Sequence, residues 1–173
     1  MGSGLLRGAG VALISLMLAT PGTAQQSTNR VAANTDWSVF VEAGECWGVS
    51  SPKETVNTKD GKPAQVRRGD ILLFVTYRAG GAKGEISFSG GYPFAEGSTV
   101  KMTLDSASFE MFTDGEWAWP ANPEDDAKIL AALKAGTQAV LTARSGKGTN
   151  TQDTFSLLGF TASVAEAEKR CAQ

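Results

Sequence analysis

From Asp36 onward the apolar residues of this chain recur at every second position, in short runs separated by glycine-bearing turns. A period of two places alternate side chains on opposite faces of extended backbone, so each run reads as a β-strand with one buried face. Trp37, Val39 and Val41 alternate with Ser38, Phe40 and Glu42, and Cys46-Trp47-Gly48-Val49 makes a second run. Ile71 to Val75 is continuously apolar, which predicts a strand buried on both faces. After Gly80-Gly81, Ile86 and Phe88 alternate with Glu85, Ser87 and Ser89. Val100, Met102 and Leu104 then face one way, and Phe109 and Met111 continue the pattern around Glu110. Gln138 to Ala143 and Thr154 to Leu158 predict two further strands around a polar loop over 145–152.

The turns carry their own chemistry. Asp60-Gly61 is a turn signal between polar flanks, and Asp114-Gly115 sits between Phe112-Thr113 and Glu116-Trp117. That second pair predicts a two-residue type I′ hairpin with both turn residues at positive φ. Two helices interrupt the strands. Asn122 can cap the first, Pro123 suits its opening position, and Glu124-Asp125-Asp126 puts negative charge at the positive end of the dipole. Ile129, Leu130 and Leu133 form its apolar stripe, and Gly136 ends it. The second spans about 162–171, with Ser163 and Glu166 spaced as a capping box. Phe160, Val164, Ala167 and Cys171 share its buried face. The fold class expected is mostly β: an antiparallel β-sandwich or flattened barrel with two short helices, at about 122–136 and 162–171.

Residues 1–24 have the organisation of a secretory signal peptide. Arg7 supplies a basic n-region, Val11 to Leu18 an apolar core, and Pro21-Gly22-Thr23-Ala24 small residues before a cleavage point at Gln25. The apolar run is far shorter than the roughly 20 residues a bilayer crossing needs. No transmembrane anchor is therefore expected after cleavage. Residues 25–35 are polar and aperiodic, a flexible lead-in, and 36–173 form a single domain.

Removing Arg7 leaves 15 basic against 18 acidic side chains, a net charge of −3. That balance, with no clustered basic surface, argues against a nucleic-acid partner. Arg67-Arg68 and Lys169-Arg170 read as solvated loop and helix-end charges. Cys46 and Cys171 are the only cysteines. An isolated pair in an oxidising compartment predicts a structural disulfide, and the wide spacing is unlike a Cys-x-x-Cys redox motif. There is no histidine, which removes the commonest general base, metal ligand and nucleophile activator. No metal site, cofactor or catalytic residue is expected.

Weaker candidates remain. Ser145-Gly146-Lys147-Gly148-Thr149 departs from a phosphate-binding loop at two positions, Leu141 and Gly148, and reads as a hairpin tip. Glu110, Asp114 and Glu116 offer carboxylates to a small hydrolase, but turn and strand roles account for them. Tyr92, Phe94, Trp117 and Trp119 form a possible binding surface for sugar or peptide. Core packing is the preferred reading of the tryptophans, since large aromatics dominate burial.

Four segments resemble a known family: Cys46 to Asn57, Gly90-Gly91-Tyr92-Pro93-Phe94, Glu116-Trp117-Ala118-Trp119-Pro120 and Phe155 to Ala162. Together they are similar to the invasion-associated locus B proteins over nearly the whole mature chain. Val41 stands in the region where founding members place a cysteine, leaving Cys171 as the partner available to Cys46 within the chain. The resemblance implies an exported, envelope-associated, β-rich protein of a virulence-related bacterial family with no established catalytic residues. The function expected is a non-enzymatic interaction protein, periplasmic or outer-membrane-associated. Its partner would be an envelope or surface protein, or a glycan. The alternative is a small periplasmic hydrolase or glycan-binding module using the 109–119 hairpin.

Overall fold

A computed structural model describes residues 29–172 except Ala82 and Ser106. The leader expected over 1–24, and residues 25–28, lie outside the described residues. Twelve strands and two helices are present among those described. In chain order they are β1 (Arg30–Asn34), β2 (Trp37–Glu42), β3 (Glu45–Ser50), β4 (Glu54–Lys59), β5 (Lys62–Pro63), β6 (Leu72–Arg78) and β7 (Lys83–Ser89). There follow β8 (Thr99–Leu104), β9 (Ala107–Asp114), β10 (Trp117–Trp119), α1 (Pro123–Ala135), β11 (Gln138–Arg144), β12 (Asn150–Ser156) and α2 (Phe160–Cys171).

All twelve strands join one antiparallel sheet in the order β1-β2-β3-β6-β7-β10-β9-β8-β11-β12-β4-β5. The sheet is not closed into a barrel. It curls over itself instead, as the β7 and β12 side chains show: Phe88 meets Phe155 edge-on, with ring centroids 6.1 Å apart. The mouth of the curl is stitched by Trp37 Nε1 donating to the Ser156 carbonyl (2.9 Å) and by the Asp36 N–H donating to the Leu158 carbonyl. The inward residues Leu73, Val75, Ile86, Phe88, Met102, Met111, Leu141 and Phe155 are fully buried and make the core.

Helix α1 forms as its sequence predicts. The Asn122 side chain accepts from the Asp125 N–H at 3.0 Å, and Ile129 and Leu133 are buried. Its first turn also reaches the sheet, where the Asp126 carboxylate accepts the Ile86 N–H at 2.8 Å. Helix α2 lies across β1, β2, β3 and β6 with Phe160, Val164, Ala167 and Cys171 inward, and Phe160 meets Trp37 edge-on at 4.8 Å. The Cys46–Cys171 disulfide closes it onto β3.

Five local expectations are corrected. Residues 30–34 of the expected lead-in form β1, because β2 offers an open edge with which they can pair. The 71–75 run is not buried on both faces: Leu73, Val75 and Tyr77 are buried, whereas Leu72, Phe74 and Thr76 are half-buried, since no layer covers the outer face. The Asp114-Gly115 hairpin forms one residue later, with Asp114 paired to Trp117 and only Gly115 at positive φ (58°), the sign pattern of a II′ rather than a I′ turn. The 145–152 loop shortens to 145–149 because residues 150–152 pair with β4. Finally, Ser163 and Glu166 make no capping box. Gly159 caps α2 in the left-handed conformation, while Ser163 is buried and accepts from Asn34 Nδ2 at 3.0 Å.

Candidate functional site

The side chains of β10 alternate about Ala118. Ala118 is fully buried in register with Phe88, a large inward residue that is itself fully buried. Trp117 and Trp119 must then face outward, and Trp117 is 40% exposed. The preferred assignment of these indoles to the core is therefore overturned. Phe112, in register with Trp119 on β9, is 50% exposed.

Outward residues of the neighbouring strands extend the feature. Phe74 faces out from β6 because Leu73 and Val75 face in, and Phe40 and Trp47 do so from β2 and β3. Strand β7 presents Ser87 and Ser89 at the corresponding positions, in register with Phe74 and Trp117 respectively. Because serine is small, rings from the flanking strands meet over β7. Phe74 and Trp117 have centroids 5.6 Å apart, Trp117 and Trp119 6.2 Å, and Trp119 and Phe112 5.6 Å. Phe40 and Trp47 stack separately at 6.4 Å. The result is an aromatic stripe on the uncovered face of the sheet, with a shallow groove of about 310 Å³ between Trp47, Phe74 and Trp119. At its end Arg78 is gripped by Glu45 (2.6 Å) and Glu85 (3.1 Å). The hydrogen bond to Glu45, more than any other influence, holds the guanidinium above its ordinary pKa.

Tyr92 and Phe94 do not join this surface. Phe94 is buried against Phe88, and Tyr92 packs edge-on to Phe94 while its hydroxyl bonds Thr151 Oγ1 at 2.6 Å. The expected four-residue platform is split: Trp117 and Trp119 are on the outer face, Phe94 is in the interior, and Tyr92 is half-buried in a separate groove. Nor do Glu110, Asp114 and Glu116 converge. All three are exposed, Glu110 and Asp114 stand four positions apart along one strand, and Glu110 accepts from Thr99 Oγ1. No carboxylate pair across a cleft is built from these three. Ser145 to Thr149 is the β11–β12 hairpin tip, where Ser145 Oγ accepts the Thr149 N–H. No group of three or more metal-ligating side chains occurs among the described residues.

Across residues 53–168 the chain matches the profile of the Invasion associated locus B (IalB) protein family. The chain belongs to the invasion associated locus B family. Neither a curated protein nor a solved structure matches it. The matched stretch of this IalB-family chain includes Phe74, Phe112, Trp117 and Trp119; Phe40, Trp47 and both cysteines lie outside it.

This IalB-family chain also contains a buried ion pair that sequence reasoning missed. The side chain of Arg68, expected to be solvated, is instead only 5% exposed, and Asp153 is completely buried. Two guanidinium nitrogens bond the Asp153 carboxylate at 2.6 and 2.8 Å, and Arg68 also donates to the Gly90 carbonyl and to Asn57 Oδ1. Its guanidinium stands 4.9 Å from the centroid of the Tyr92 ring. One signal was available: Asp153 shares a strand face with Thr151 and Phe155, so an inward carboxylate needs a cation.

Proposed function

We propose that this IalB-family chain is an exported, non-enzymatic interaction protein of the bacterial envelope, periplasmic or outer-membrane-associated. The observation that carries the reading is the outward aromatic stripe. Six aromatic rings on an uncovered sheet face have no intramolecular reason to lie there in such number, and exposed apolar patches of this kind mark binding surfaces. Supporting it are the signal-peptide organisation of residues 1–24 and a disulfide suited to an oxidising compartment.

The test is a photo-crosslinking amino acid placed at Trp119, with a control at Thr142 on the outer side of β11, in cells making the tagged full-length chain. Cleavage of the leader, envelope fractionation and a reproducible adduct from Trp119 alone are the expected results. A chain that stays cytoplasmic with its leader attached, or identical adducts from both positions, would overturn the reading.

A further inference from the structure

If the aromatic stripe is the binding face, its border says what partner fits. Along β9, Glu110, Phe112 and Asp114 occupy one outward face, and Asp114 is in register with Trp117. Along β7, Glu85 lies one outward position beyond Ser87, and Ser87 is in register with Phe74. Carboxylates therefore stand beyond the Trp119–Phe112 row on both neighbouring strands, with a further one beside Trp117. Glu45 on β3 extends the acidic edge. The bases beside these carboxylates are Arg78, already held by Glu45 and Glu85, Lys101, in register with Glu110, and Arg144, which lines one groove with Lys101 and Glu110. The carboxylates of Glu45, Glu85, Glu110 and Asp114 outnumber the cations of Arg78, Lys101 and Arg144 around the rings.

Each class of partner meets this border differently. An acidic surface would be repelled by it. A purely apolar one would strip water from the carboxylates and return no hydrogen bond. A neutral glycan can stack on indoles and donate hydroxyl hydrogen bonds to the carboxylates, but it leaves their charge uncompensated. Cationic side chains satisfy both parts, because the faces of tryptophan rings attract cations and the carboxylates complete the ion pairs. Strand spacing is about 4.8 Å, so β7 and β9 lie roughly 10 Å apart across β10. A single extended segment spans that distance.

We propose, resting on the binding-face reading above, that the stripe receives a basic protein segment. Its Arg or Lys side chains lie on Trp117 and Trp119, and their charges meet Glu85, Glu110 and Asp114.

The test uses the disulfide-bonded chain lacking residues 1–24, titrated with an alternating Arg-Gly peptide, a matched Glu-Gly peptide and a chitin oligosaccharide. Tryptophan fluorescence and amide NMR shifts are read together. The basic peptide should quench the indoles and shift β7, β9 and β10 resonances, with affinity falling as salt rises. Trp119→Ala should weaken binding roughly tenfold or more. The double variant Glu85→Gln with Glu110→Gln should reduce both affinity and its salt dependence, while the loss of its exposed contacts to Arg78 and Thr99 lowers the melting temperature by no more than a few degrees. Silence with the basic peptide, equal response to the acidic one, saturation by the oligosaccharide alone, or Trp119-dependent self-association in sedimentation would each overturn the proposal. Cellular capture at Trp119 of a glycan or acidic protein would overturn the basic partner while leaving the binding face standing. Absence of capture at that position would remove the face itself.

Discussion

Replacing Asp153 by Asn puts the most demanding physical claim in this fold to the test. The carboxylate is completely buried and takes two hydrogen bonds from Arg68, whose remaining contacts go to Gly90, Asn57 and the Tyr92 ring. In the variant the guanidinium stays in the same enclosed place with no counter-charge. In Arg68→Met the converse holds, and a buried carboxylate is left without its cation while the Gly90 carbonyl loses its donor. Removing one partner of such a pair costs about 3–5 kcal/mol, because most of the loss is the desolvation of the charge left behind. For a domain of this size about 1 kcal/mol moves Tm by roughly 2–4 °C, so each single variant should melt on the order of 10 °C lower. The double variant Arg68→Met with Asp153→Leu leaves no stranded charge and should recover most of that loss. Thermal and urea unfolding by circular dichroism, with the disulfide intact, measures all three. The exposed i,i+4 pair Glu166–Arg170 is the control, and Arg170→Ala should cost about 0.5 kcal/mol or less. If either buried single variant costs under ~1 kcal/mol, or the double is as unstable as the sum, the argument from stranded charge is wrong.

Four further outcomes are expected. Intact mass after alkylation should show both thiols of Cys46 and Cys171 only once the protein is reduced, and reduction should remove up to roughly 5 kcal/mol for this 125-residue separation; alkylation of either cysteine in the native protein would refute a stable bridge. Gly159→Ala should destabilise by ~3 kcal/mol or more in urea titration, since φ is 87° and the new Cβ would lie 1.9 Å from the Asn34 carbonyl oxygen. Tyr77→Phe should be neutral or stabilising, because the Tyr77 hydroxyl is buried without a partner among the described residues, and burial pushes its pKa up to about 12. Burial raises the Asp126 carboxyl above its ordinary 3.8, and Glu85 and Asp125 add to the effect against the Ile86 N–H bond. A raised acid favours the folded state when protonated, so that contribution is full below pH 3.8 and is lost as pH rises through the folded value. Asp126→Asn should therefore flatten this part of the stability profile between acid and neutral urea titrations.

Much of the architecture was legible because it is locally determined. Alternation in Val100-Met102-Leu104 and Trp37-Val39-Val41 is enforced by the pleat itself, whatever lies elsewhere in the chain. Asn122 and Pro123 start α1 through bonds made within one turn, and the Asp60-Gly61 turn needs only its own dihedrals. Where local rules failed, a distant segment had intervened. Ser163 lost its capping role because Asn34 lies over it, and Arg68 was drawn inward by an aspartate 85 positions away. Trp117 and Trp119 were misassigned for a related reason: aromatic size predicts burial only where a second layer exists to provide it.

The residues by themselves determined most of the strands, though not β1, β4 or β5, together with both helices, the face of α2 that is buried and the two sulfurs available to clamp it. Periodicity divides each strand into two faces, but it does not say which faces will be covered. That depends on pairings such as β3 with β6 and β12 with β4, and on how far the curled sheet closes. Only the tertiary structure therefore decided that Phe88 fills the interior opposite Ala118, leaving the indoles outside. It also decided that Asp153 is enclosed with Arg68, because burial belongs to the packed assembly of strands and not to any one of them.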